Sequence, residues 1–176
     1  MVSLNFVFWM YVCLFGVIGA MRGWARELLV AFAVILALTF STLIQTYVPF
    51  IRDALPPNSP ALFWLRSIIL VVLVFFGYQT PNIPRFAAKM NREKLQDTLL
   101  GIFLGALNGY LIVGSIWFYM HAAGYPFGAL EPPDPTTPVG AAALKLIEYL
   151  PPRVLGIPSI YFAVVLAFIF VIVVFI

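Results

Sequence analysis

The sequence predicts an all-α integral membrane protein of about five transmembrane helices, joined by short loops and short amphipathic interfacial helices. Three observations carry this. Apolar residues make up 63% of the 176 positions and charged residues 10%, against roughly 45–50% and 25% in soluble domains. Five apolar runs, at about 3–21, 28–48, 61–79, 99–120 and 159–176, reach or approach the roughly 20 residues needed to cross ~30 Å of hydrocarbon. The runs are continuously apolar, whereas a barrel strand would need only about ten residues alternating with period two. Any one run could be a buried helix of a soluble domain. Five in succession would leave no polar surface to face water.

The first run has no basic segment ahead of it, since the first arginine is Arg22 on its far side. It therefore reads as a retained helix and not as a cleaved signal peptide. Between the first and second runs stands a charged corner, Arg22-Gly23-Trp24-Ala25-Arg26-Glu27. Three ionised side chains in six residues are costly at the bilayer centre, so the corner is expected at a membrane face where the chain surfaces, turns and dives back. Glu27 there suits the N-terminal dipole of the second helix and can neutralise Arg22 or Arg26. A proton-relay role is the functional alternative for this carboxylate.

The second connection, Pro49 to Pro60, is rich in proline and is expected to be a turn that continues neither helix. Arg66 falls in the first turns of the third run, where its long stem can snorkel back to the headgroups; Trp64 suits the same interface. In the third connection Asn82 can cap a helix with Pro84 in its first turn. Arg85, Lys89 and Arg92 recur there on one face, with Ile83, Phe86, Ala87 and Met90 opposite, as in a helix lying on anionic lipid. The fourth connection is the longest. Its prolines keep Tyr125–Pro138 extended. Thr137 then caps and Pro138 opens a short helix ending before Pro151-Pro152, with Val139, Ala143, Leu146, Ile147 and Leu150 on one side and Ala141, Lys145 and Glu148 on the other. The last run spans about 27 Å, so it is expected to end near an interface.

This organisation divides the chain into a four-helix core at 1–122, a proline-rich loop with a short amphipathic helix at 123–157, and a terminal transmembrane helix at 158–176. Counting lysine and arginine by side gives Arg22, Arg26, Arg85, Lys89, Arg92 and Lys94 against Arg52, Arg66, Lys145 and Arg153. The positive-inside rule puts the richer side in the cytoplasm, with the N-terminus outside and the C-terminus inside.

Few residues invite chemistry. Gly101, Gly105 and Gly109 recur every fourth position, with Gly114 beyond them, and Gly16, Gly19 and Gly23 do so less regularly; such grooves let helix backbones approach closely. They serve packing within one chain as readily as dimerisation. Asn108 lies beside the glycine face, where an intramembrane amide seeks an interhelical hydrogen bond; a polar station in a transport path is the alternative. His121 is the sole histidine and Cys13 the sole cysteine, so neither a metal set nor a disulfide is expected. Ser41, Thr42 and Ser115 have no triad partner. No catalytic, cofactor or metal site is predicted, and the net charge of +3 is spread too thinly for nucleic acid.

The pattern Gly19-x-x-Arg22-Gly23-x-x-Arg26-Glu27, followed at once by an apolar helix, resembles the first hairpin of the colicin V production protein family. Leu95-Gln96-Asp97 followed by Gly101, Gly105 and Gly109 resembles that family's Asp-plus-glycine entry to its fourth helix, and the basic segment ahead of it stands in the expected order. The resemblance covers about residues 1–120. Asn108 stands where relatives often have a basic residue, and beyond residue 122 the proline-rich segment and fifth run differ from the family's usual polar tail. The resemblance implies a bacterial inner-membrane protein linked to colicin export, a toxin-biosynthesis role, and to envelope integrity, with no established catalytic residues.

Three functions remain in view. The first is a non-enzymatic multi-pass protein that assists secretion or envelope maintenance through helix packing, anionic membrane lipids and partner binding. The second is an accessory or assembly subunit of a larger membrane complex, for example a respiratory or photosynthetic one. The third is a small transporter or channel, which would need a homo-oligomer because five helices with few polar groups enclose little.

Overall fold

A computed structural model describes residues 3–79, 94–128 and 130–175. Among them are eight helices and no strand: α1 (Leu4–Arg22), α2 (Trp24–Tyr47), α3 (Pro49–Ala54), α4 (Pro60–Tyr78), α5 (Lys94–Ala122), α6 (Pro138–Ile147), α7 (Pro151–Val154) and α8 (Ser159–Phe175). Four of these, α1, α2, α4 and α5, are long and apolar enough to cross a membrane. This is an all-α, multi-pass membrane protein. The basic segment with Arg85, Lys89 and Arg92, its Asn82 cap and Pro84 lie outside the described residues.

The core forms where the four long helices meet. Phe8 and Val12 of α1, Val30, Val34 and Leu38 of α2, Leu70 of α4 and Leu111 and Ile112 of α5 are buried together. The outward faces carry exposed large apolar side chains such as Phe6, Val17, Phe76, Leu95 and Phe103, as expected where lipid, not water, is the solvent. α1 packs antiparallel to α5 through the glycines of both. A Cβ on Gly19 would fall on the Gly101 carbonyl oxygen and lie 2.8 Å from the Gly105 Cα; one on Gly109 would lie 2.8 Å from the Phe15 Cβ. The groove is thus filled by a helix of the same chain, and only glycine permits so close an approach. Gly114 serves a different neighbour, the Pro151 ring of α7.

Several boundaries differ from those the sequence suggested. α2 begins at Trp24, not 28, because one residue, Gly23, makes the whole turn (φ 84°, ψ 158°). α5 is already helical at Lys94, five residues before its apolar run, since straight-chain lysine, leucine and glutamine propagate a helix well. The second connection is not simply a turn: Pro49–Ala54 is a short helix with Pro49 at its first position, where the missing N–H and fixed φ cost nothing. The Ser59 hydroxyl accepts Leu62 N–H at 3.2 Å and starts α4.

Helix α6 starts as its sequence indicates, with Thr137 Oγ1 accepting Gly140 N–H at 3.0 Å. Its buried stripe, however, is Gly140, Ala143 and Ile147, continued by Leu150, while Val139 is exposed. The stripe turns this way because Gly140 packs against the Asp134 backbone, leaving no room for a Cβ. The segment before it is irregular, with turns at 123–124, 127–128 and 135–136. Asp134 accepts the Thr136 N–H and hydroxyl, and these bonds hold its carboxyl below the usual range. The last apolar run forms α8 against α2, with the Phe168 ring edge-on to Phe32 at 4.8 Å.

Candidate functional site at the charged corner

The corner residues do not all reach a membrane face. Glu27 is fully buried, although it lies only three residues into α2. The turn at Gly23 is so tight that α2 starts beside α5, and each residue adds about 100° of rotation. That sets Glu27 inward and leaves Arg26 exposed. The surface expectation treated the six residues as one loop; five of them are helix, and only Gly23 is not.

Burial of a carboxylate demands partners, and Glu27 has them on both oxygens. Arg22 Nη1 donates to Oε1 at 3.2 Å. Asn108 Nδ2 donates to Oε2 at 2.8 Å and also to the Glu27 backbone carbonyl at 2.8 Å. Asn108 is itself fully buried, at the middle of α5. The amide therefore joins α5 to the first turn of α2.

Arg22 extends the network to α4. Its Nη2 donates to the Tyr78 carbonyl oxygen at 3.2 Å, one of the orphan acceptors at a helix C-terminus, where a cation also favours the dipole. Its guanidinium lies 4.2 Å from the centroid of the Tyr78 ring, a cation–π geometry. Asp97, in the first turn of α5, accepts Trp24 N–H at 3.1 Å. Gly23, the N-cap of α2, has no side chain to cap with, so Asp97 supplies the acceptor from another helix. A Cβ on Gly23 would lie 2.8 Å from both Asp97 carboxylate oxygens. Glycine is required twice here, by its φ and by this contact.

The structure therefore gathers Arg22, Gly23, Glu27 and Asn108 into one cluster, with Gly101, Gly105 and Gly109 forming the contact beside it. Arg26 lies on the exposed side of α2. Two members were not assigned to the corner from the sequence. Tyr78 contributes a backbone carbonyl and a ring face, and neither leaves a pattern in sequence. Asp97 stood beside the glycine series, but nothing in the spacing tied it to Trp24, 73 residues away. His121 stands apart at the opposite end of α5, its ring 5.7 Å from Tyr125. No group of three or more His, Cys, Asp or Glu side chains suited to a metal occurs among the described residues.

The two short patterns, Gly19 to Glu27 and Asp97 to Gly109, are thus the two halves of one interface. The family model described as colicin V production protein matches residues 4–130, a stretch that contains both halves. The chain belongs to the colicin V production protein family. No curated protein and no solved structure matches it significantly. The family match ends within the proline-rich segment, ahead of α6, α7 and α8.

Proposed function

We propose that this family member acts without catalysis, as a helical scaffold of the bacterial inner membrane. In this reading it supports colicin-type secretion or envelope maintenance by holding a partner protein or a second copy of itself, with membrane lipids around it. The charged corner faces the cytoplasm, which puts the N-terminus outside and the C-terminus inside. The supporting observation is the hydrogen-bond network at the corner. Both Glu27 oxygens, the Arg22 guanidinium, the Asn108 Nδ2 and the Asp97 carboxylate are engaged in joining α1, α2, α4 and α5. Groups consumed in this way hold a shape; they are not presented to a substrate.

The test is complementation of colicin V secretion in cells lacking their own copy. Arg22→Gln is expected to lower secretion only as far as it lowers the amount of folded protein in the membrane. Glu27→Gln made at normal abundance should secrete normally. Loss of secretion at full abundance would overturn the scaffold reading. Gentle extraction with native mass measurement separates the remaining alternative: a stoichiometric foreign chain favours an accessory subunit of a larger complex, and a lone monomer removes it.

One observation favours a second reading, a small oligomeric transporter. Glu27 is an ionisable group inside a span, the default mark of an ion or proton path, and Asn108 Oδ1 beside it has no hydrogen-bond partner among the described residues. Flux through proteoliposomes should then depend on Asn108. Unchanged flux in Asn108→Leu discards that role.

A further inference from the structure

A second polar site lies at the end of the bundle opposite the corner. A cavity of about 260 Å³ opens there between the last turns of α2, the second turn of α4, the last turn of α5 and the segment after α7. Its cation is Arg66. The side chain does not snorkel outward; it turns into the bundle end, donates to Gln45 Oε1 and lies 5.1 Å from the Tyr119 ring centroid. A guanidinium has five donors, and Gln45 takes one. No carboxylate among the described residues pairs with Arg66.

The rest of the wall is built for an acceptor-rich ligand. Ser41, Thr42 and Thr46 line the same cavity from α2. Ser41 is 4% exposed, and its Oγ, close to the Tyr119 side chain, completes no hydrogen bond of good geometry. A partly desolvated cation without a counter-charge is strongly disfavoured, and so is a buried hydroxyl without a partner. One oxyanion relieves both. Phosphate matches best, since a planar guanidinium grips two of its oxygens and leaves others for hydroxyls.

We propose that this cavity is a phosphate-ester site, with Arg66 as the anchoring cation and the Ser41 and Thr46 hydroxyls as auxiliary contacts; the Thr42 hydroxyl is taken up by the Leu38 carbonyl oxygen, to which it donates at 2.9 Å. Arg66 is six residues from the start of α4, and Gln45 two from the end of α2. Both sit within two turns of the cavity end of a span, on the side of the bundle nearer a membrane interface than its middle. A headgroup phosphate and a soluble phosphate would be recognised by the same chemistry.

The full chain in a neutral maltoside detergent is titrated, with thermal unfolding as readout, against short-chain phosphatidylglycerol, diacylglycerol of the same chains, and inorganic phosphate. The site is expected to raise the unfolding temperature with a phosphorylated probe and not with diacylglycerol. Response to phosphatidylglycerol alone identifies a lipid headgroup; response to inorganic phosphate identifies a soluble ligand. Response to neither overturns the proposal.

Arg66→Gln should weaken the response about tenfold or more, the effect of losing charge-assisted bonds, and Arg66→Lys should restore part of it. If Arg66→Gln does not fold, Gly156→Val serves. Gly156 lines the cavity, its φ is ordinary, and an added Cβ meets only the Arg153 carbonyl oxygen at 3.5 Å. The fuller side chain should cut affinity while leaving Arg66 in place. A response unchanged in whichever variant folds overturns the site.

Discussion

At the scale of single residues, Glu27 and Asn108 decide how the corner is held. Hydrogen bonds to a charged group contribute about 1.5–3 kcal/mol each, and a buried charge left without its partner costs about 3–5 kcal/mol. Asn108→Leu removes the bond to Glu27 Oε2 and the bond to its backbone carbonyl, so it is expected to destabilise by about 3 kcal/mol in detergent unfolding. Arg22→Gln should cost as much or more, because it leaves the Glu27 charge buried. Adding Glu27→Gln to Arg22→Gln should recover part of that loss, since two neutral amides can pair without a stranded charge. If the double variant proves less stable than Arg22→Gln alone, Glu27 is not stabilised mainly through Arg22. Sequence made these residues candidates through residue type and position. It could not choose between Arg22 and Arg26 as partner, because both lie within reach of Glu27 along the chain and only the rotation of α2 separates them.

At the scale of elements, the α1–α5 contact is the firmest constraint in the chain. Its glycines meet backbone, which cannot move aside as a flexible side chain can. Gly105→Ile should therefore separate the two helices, costing about 3 kcal/mol or more. Gly128→Ala, where an added Cβ meets nothing within 4 Å, should stay within about 0.5 kcal/mol of the parent. Equal losses in the two variants, measured by unfolding or by folded yield, would remove the special status of the groove. The four-residue spacing made the groove legible, but its occupant was not, because small residues mark close approach without naming what approaches. Helix ends were legible where a side chain caps them, as at Thr137. A helix start was missed at Pro49, where proline's tolerance in a first helical turn decided the outcome, and a helix face was misread at Val139, where the Asp134 backbone beside Gly140 did.

At the scale of the whole molecule, topology links the two polar sites to opposite ends of the bundle. Lys94 and Asp53 are both exposed, and they lie near the corner end and the cavity end. With the exposed Cys13 replaced by alanine, Lys94→Cys should resist a membrane-impermeant thiol reagent applied to intact cells, and Asp53→Cys should react. The reverse pattern would invert the proposed orientation. Neither outcome touches the packing, because the positive-inside bias acts on insertion and not on the folded contacts.

By itself, the sequence determined that this is a helical membrane protein, roughly where its spans run, which glycines pack and which family it resembles. Each of those properties is periodic or compositional along the chain, and so can be read locally. Only the tertiary structure decided that Arg22, Glu27, Tyr78, Asp97 and Asn108 form one site and that Arg66 turns into a cavity. Those facts depend on the phase of each helix about its own axis. A one-residue turn at Gly23 sets that phase for α2, and it carries Glu27 out of the expected surface loop into the interior.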